Sequence, residues 1–340
     1  MEDQQRPMKL IAWLTAAVII AAPAFAATTL NGAGATFPFP VYSKWFDEYH
    51  KVKPDLQINY QSIGSGGGIR QLTEKTVDFG ASDGPMTDEQ IQKAGGAVIH
   101  VPTVLGAVIP AFNVAGVPEL KLDGAALAGI YLGEIVKWND AALVKLNPTA
   151  KLPDAAITVV HRSDGSGTSF CFTDYLAKVS KDWEKKVGRG AAVNWPVGLG
   201  GKGNEGVAGL VKQNPGSIGY VELIYAQQNS ITFAALKNKS GQFVKASVDG
   251  VKSAAAGAAS SIPADYRVSI TDAPGKDAYP ISTFTWLLIY PKNPDGKGAL
   301  LKDFLRWMLK DGQKMAPALG YAPLPEAVKA KVARTVETIL

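Results

Sequence analysis

The stretch from Leu56 to Ser82 restricts the architecture more than any other part of the chain. Leu56-Gln57-Ile58-Asn59-Tyr60 alternates apolar and polar residues into Ile63, the pattern of a half-buried strand. Gly64-Ser65-Gly66-Gly67-Gly68 then turns the chain into a helical run, Ile69 to Lys75, and Val77 to Ser82 reads as the next strand. A strand, helix and strand in such close succession form a βαβ unit, which demands parallel strands and a right-handed crossover.

The same alternation extends outward. Val41, Tyr42, Trp45, Phe46 and Tyr49 recur at helical spacing behind Pro38 and Pro40. Thr87-Asp88-Glu89-Gln90 has capping-box spacing and predicts a helix start. Thr103 to Asn113 and Ser282 to Tyr290 are nearly continuous apolar runs, while Ile157–Val160 and Ser217–Val221 are shorter strand candidates. Leu300, Leu301, Phe304, Leu305 and Met308 predict a late helix that Asp311-Gly312 should stop. The small-residue stretch Ser253 to Ser261 reads as a surface excursion. At 340 residues the chain exceeds what one small core fills, so two α/β lobes are expected. One lobe should comprise residues 27–104 plus 273–340, and the other residues 105–272.

Residues 1–26 read as an address. Leu10 to Ala22 is apolar but too short for a comfortable membrane span; Lys9 precedes it, and Ala24-Phe25-Ala26 suits a signal peptidase. The expected product is a periplasmic protein cleaved after Ala26; the alternative is a retained anchor. Met8-Lys9 opens a more ordinary leader than Met1, which leaves two candidate starts. Removing the leader takes away Glu2, Asp3, Arg6 and Lys9, so the net charge stays at +5.

Composition excludes several function classes. One cysteine, Cys171, rules out a disulfide scaffold. Histidines at 50, 100 and 161 leave little material for a zinc site, and nothing resembles H-E-x-x-H; no metal and no cofactor are expected. The modest charge gives no reason to expect a nucleic-acid partner.

The chemistry concentrates in three Gly-rich segments: Gly32-Ala33-Gly34-Ala35-Thr36-Phe37-Pro38, Gly64 to Gly68, and Arg162-Ser163-Asp164-Gly165-Ser166-Gly167-Thr168-Ser169. Each precedes a helix, where free N–H groups and a positive dipole end suit an oxyanion. Any one alone reads first as a capped helix start; three together, one with an arginine, point to an anion site. Gly198-Leu199-Gly200-Gly201-Lys202-Gly203 matches G-x-G-x-x-G, with Glu222 placed as a ribose carboxylate would be. Trp195-Pro196 interrupts the strand that a dinucleotide site requires directly before the glycines. Neither Ser65 nor Ser166 sits in a nucleophile elbow. His161 and Arg162 should face opposite sides of a strand, and Cys171 reads as packing.

The segments Thr29 to Pro38, Asn59 to Gly67, Val77 to Asp83, Arg162 to Phe170, Trp195 to Asn204, Gly219 to Glu222 and Tyr321 to Pro325 resemble the phosphate-binding proteins of bacterial Pst ABC transporters across essentially the whole mature chain. That resemblance implies a two-lobed α/β periplasmic binding protein fold of type II, with inorganic phosphate in the interlobe cleft. It implies no enzymatic activity, a monomer, and delivery to a membrane permease with ATP-binding subunits. It places phosphate contacts at Thr36, Phe37, Ser65, Asp83, Arg162, Asp164, Ser166, Gly167 and Thr168. Gly66, where many relatives have serine, and His161, where some have arginine, depart from the pattern.

In this reading Arg162 gives charge-assisted bonds to the anion, and Asp164 anchors the guanidinium. An ionised Asp83 can only accept a hydrogen bond, so it must face a proton on the ligand; phosphate carries one near neutral pH and sulfate does not. The alternative for Asp83 is a helix cap ahead of Gly84-Pro85. An exported phosphatase and a sulfate or molybdate receptor remain rival functions.

Overall fold

The computed structural model describes residues 28–340; the expected leader and its cleavage site lie outside them. In chain order the elements are β1 (Thr28–Gly34), α1 (Phe39–Val52), β2 (Leu56–Ser62), α2 (Ser65–Thr73), β3 (Phe79–Ser82), α3 (Asp88–Lys93), β4 (Ile99–Asn113), β5 (Lys121–Leu122), α4 (Gly124–Tyr131) and α5 (Ala141–Leu146). There follow β6 (Thr158–Arg162), α6 (Gly167–Val179), α7 (Lys181–Lys186), β7 (Leu199–Gly201), α8 (Gly203–Gln213), β8 (Ser217–Glu222) and α9 (Leu223–Gln228). The chain closes with β9 (Thr232–Phe233), β10 (Ala235–Lys237), β11 (Phe243–Val244), α10 (Val248–Gly257), β12 (Ser282–Ile289), α11 (Gly298–Trp307), α12 (Gln313–Met315) and α13 (Glu326–Val336).

Nine strands form one mixed sheet, ordered β2-β1-β3-β12-β4-β8-β6-β7, with β9 also on β4. β1 runs parallel to both β2 and β3, as the βαβ pattern requires. The 15-residue β4 serves both halves of the sheet: Ile99 to Ala107 pairs with β12, and Val108 to Asn113 pairs with β8. Its burial along nearly its whole length explains the unbroken apolar run. In the second half β6 lies parallel to β8 and β7.

Each half has its own aromatic core. Tyr42, Phe46, Tyr60, Phe79 and Phe304 pack together in the first. Tyr131, Phe172, Trp195 and Tyr220 do so in the second, where Phe172 stacks on Tyr220 at 4.2 Å. All five apolar positions read as the buried stripe of α1 are buried. Thr87 caps α3 reciprocally with Gln90, the capping box its spacing predicts.

Several boundaries differ from expectation. α2 starts at Ser65, so the glycines form its first turn. A Cβ on Gly68 would lie 2.5 Å from the Gly34 Cα, which shows how closely that turn rests on β1. Asp311-Gly312 does not stop the late helix: Met308–Gly312 is a π turn, and α12 follows directly. The Trp45 indole donates to the Gly312 carbonyl at 2.8 Å, and the wider turn leaves that oxygen a partner outside the helix. Most of the stretch Ser253 to Ser261 is helix as well. α10 buries Val251, Ala254 and Ala255, because alanine favours helix and an apolar face was hidden among small residues. Only its end, Ala259–Ser261, is an exposed single turn.

Candidate functional site

The three Gly-rich segments and the end of β3 meet at the carboxyl ends of the parallel strands, where open α/β sheets place their ligands. Gly64 takes φ 86°, which lets the chain turn sharply from β2 into α2. Ser65 is thereby delivered to the middle of the site, where its Oγ accepts from the backbone N–H of Asp83 (3.3 Å) and of Gly167 (3.1 Å). One hydroxyl thus joins α2, the end of β3 and the start of α6. The backbone crosses the same gap where Gly66 N donates to the Gly165 carbonyl at 2.8 Å. A Cβ on Gly66 would come within 3.1 Å of the Gly165 Cα, so the departure from serine suits a tight crossing.

Arg162 ends β6 with its side chain 1 % exposed. Its guanidinium engages Asp164 with two bonds, Nε to Oδ1 at 2.8 Å and Nη2 to Oδ2 at 2.6 Å, while Nη1 donates to Thr168 Oγ1 at 3.3 Å. Burial opposes ionisation of Asp164, but Arg162 and the Gly203 N–H hold its carboxyl below the usual range. Ser166 caps α6 by accepting from Ser169 N at 3.0 Å, and with the Gly167 N–H engaged by Ser65 the first turn keeps the Thr168 N–H at the site. Thr36 Oγ1 accepts from Asn204 Nδ2 at 2.6 Å. Phe37 is wholly buried, and its carbonyl accepts from Tyr321 Oη at 2.6 Å.

Asp83 is 1 % exposed and does not cap a helix; α3 begins later and Thr87 caps it. Burial pushes the Asp83 carboxyl up to about 7, with the Thr285 hydroxyl, Arg162 and the Thr168 and Ser65 hydroxyls pulling the other way. Thr285 Oγ1 donates to Asp83 Oδ1 at 2.9 Å. Behind it, Cys171 Sγ donates to the Asp83 carbonyl at 3.2 Å, and burial raises the thiol pKa, so the cysteine packs and is no thiolate.

All nine sequence-predicted residues therefore fall in one enclosed locus. Eight are buried and Asp164 is partly so. As expected, no strand among the described residues directly precedes the glycines of the G-x-G-x-x-G stretch; the short strand Leu199–Gly201 lies within the motif, ahead of α8. The start of α8 is nevertheless occupied from within: Gly203 N donates to Asp164 Oδ1 at 3.1 Å, and Asn204 N to Thr36 Oγ1 at 3.2 Å. Glu222 is fully buried and caps α9 through Ile224 N at 2.8 Å, which leaves it no ribose to meet. Burial holds its carboxyl well above the usual range, with Asp83 adding to that effect. His161 stacks on Trp195 at 4.9 Å, on the side of β6 away from the buried Arg162 guanidinium. Among the described residues, no group of His, Cys, Asp and Glu is arranged to hold a metal ion.

The family profile of the PBP superfamily domain matches residues 20–311. The phosphate-binding protein PstS of Xylella fastidiosa (strain Temecula1) is 47% identical over 300 residues, covering 87% of this chain and 81% of its own. That of Pasteurella multocida is 46% identical over 310 residues, 90% and 89% of the two chains. The chain belongs to the PstS phosphate-binding protein family. Its fold is the type II periplasmic binding protein fold. A high-affinity periplasmic phosphate-binding protein solved with bound phosphate matches it with a TM-score of 0.72 at 22% identity, over 90% of this chain and 93% of that one. A phosphate ABC transporter substrate-binding protein from Clostridium perfringens matches with a TM-score of 0.66 at 19% identity, over 88% of this chain and all of the other. The two PstS relatives are named as phosphate-binding proteins, and the Clostridium perfringens protein as a transporter's substrate-binding protein, not as enzymes.

Four further residues meet at this locus that were not among the expected contacts: Asn204, Tyr220, Thr285 and Tyr321. Tyr220 Oη accepts from the Arg162 backbone N–H at 3.1 Å and pairs with Ser169 Oγ at 2.6 Å. Thr285 was masked inside an apolar run, where its only signal is a hydroxyl on a strand otherwise built for burial. Asn204 had a stronger signal, as a polar residue one step into a Gly-rich helix start.

Proposed function

We propose that this protein is an exported, high-affinity receptor for inorganic phosphate that hands its ligand to a membrane ABC permease powered by ATP-binding subunits. The observation that carries the reading is the pairing of opposites within one enclosed site. Arg162, the first turn of α6 and the Thr36, Ser65 and Thr168 hydroxyls supply donors, while Asp83 supplies a buried carboxyl. Once Asp83 has ionised, above about pH 7, an anion with a proton of its own satisfies both sides, and a fully deprotonated one leaves the carboxylate facing like charge. Thr36, Phe37, Ser65, Asp83, Arg162, Ser166, Gly167 and Thr168 surround the ion, and Asp164 holds the guanidinium.

Residues 27–104 with 273–340 form one lobe in this reading, and residues 105–272 the other. The change of partner along β4 and the two separate aromatic cores support that division. A monomer acts alone in the periplasm after cleavage near Ala26. Among the described residues no helix is long and apolar enough to cross a membrane. Titration of the purified protein by intrinsic tryptophan fluorescence, at constant salt with sulfate and arsenate as competitors, tests the ligand. Phosphate should bind with sulfate a poor competitor; equal competition by sulfate refutes the assignment. N-terminal sequencing of the secreted protein tests the cleavage site.

A further inference from the structure

We propose that Asn204 is a positioning residue that fixes which way the Thr36 hydroxyl proton points, and so makes that hydroxyl an obligate donor to the bound anion. Asn204 is fully buried at the start of α8. Its Oδ1 accepts from the Glu222 backbone N–H at 2.8 Å, and that N–H can only donate. The amide orientation is therefore set, with Nδ2 facing the site. There Nδ2 donates to Thr36 Oγ1 at 2.6 Å and to Thr168 Oγ1 at 3.3 Å.

A hydroxyl has two lone pairs and one proton. Thr36 Oγ1 receives Asn204 Nδ2 and also the Asn204 backbone N–H at 3.2 Å, so both lone pairs are engaged. Thr168 Oγ1 receives Asn204 Nδ2 and Arg162 Nη1, each at 3.3 Å. Neither oxygen can accept a further hydrogen bond; the Thr168 hydroxyl proton is directed at Asp83, and the Thr36 proton is left to give to the anion. That wall of the site thus rejects a ligand proton, which has to lie toward Asp83. Asn204 acts through Thr36 and not on the anion, and by bonding Thr36 from α8 it also ties the loop after β1 to the second half of the sheet.

The inference rests on phosphate being the ligand, and a double-mutant cycle separates the two claims. Phosphate affinity is measured for the wild type, Asn204→Ala, Thr36→Val and the double variant, with the melting temperature of each ligand-free protein recorded. Each single change should weaken binding by about thirtyfold, and the double variant should fall within about threefold of the weaker single. A residue that merely supports the fold would give losses that multiply, to about a thousandfold in the double variant, and that outcome overturns the proposal. So does Asn204→Ala binding within about threefold of the wild type. Should Asn204→Ala fail to fold, Asn204→Gln, which keeps the amide but misplaces it by a methylene, serves in the same cycle with the same expectations. A wild type that takes up no phosphate at all overturns the ligand assignment, and this role with it; additivity in a wild type that does bind overturns this role alone.

Discussion

Replacing Asp83 with asparagine should make the ligand-free protein more stable, and increasingly so as the pH rises. Burial lifts the Asp83 carboxyl from 3.8 to about 7. Across that window the unfolded chain has released the proton that the folded chain still holds, so the wild type loses stability with rising pH and the loss levels off above about pH 7. The difference is roughly three pH units, which corresponds to a ceiling of about 4 kcal/mol at alkaline pH. Asparagine keeps an oxygen for the Thr285 hydroxyl at Asp83 Oδ1 but introduces an amide N–H pair that needs acceptors. That offsets part of the gain, leaving about 2 kcal/mol in favour of the variant near pH 8. Urea unfolding of both proteins, freed of phosphate and followed by tryptophan fluorescence from about pH 4 to about pH 8, measures it. The advantage of Asp83→Asn should be small at the acid end, grow through the middle and flatten near neutrality. An advantage independent of pH, or a variant less stable than the wild type near pH 8, would show that the buried carboxyl carries no such cost.

Three further outcomes follow from the same geometry. Asp83→Asn should weaken phosphate and narrow its lead over sulfate, because an amide can donate where the carboxylate only accepted; unchanged selectivity by calorimetric competition sinks that role. Arg162→Ala should cost about 3–5 kcal/mol in phosphate affinity, since it removes a buried charged partner and strands Asp164; a loss of tenfold or less would mean that dipoles and hydroxyls suffice. Gly64→Ala should weaken phosphate while leaving the sheet intact, because the new methyl would collide with the Asp164 carboxylate and strain a φ of 86°; affinity equal to the wild type would show that the Asp164–Arg162 pair tolerates displacement.

Much of this site is local in sequence and could be read there. The turn from β2 into α2 needs glycine at 64 and puts Ser65 on the first turn whatever the rest of the chain does. Arg162 and Asp164 lie two residues apart where β6 ends, so their pairing is a short-range matter. Ser166 caps its own helix. Helix starts, caps and strand ends are decided by neighbours along the chain, and for that reason the donors and acceptors they present are written in the residue order.

The tertiary structure decided the rest. The identity of Asp83 is legible, but its high pKa is not, because desolvation comes from β12, α6 and the surrounding core. Asn204 meets Thr36 across a separation of 168 residues, and Gly167 meets Ser65 across 102. The π turn at Met308–Gly312 likewise accompanies a bond from Trp45, far away in the chain. Sequence alone specified which groups could donate or accept. Only the folded chain determined which of them lose water together, and that desolvation sets the strength of each bond.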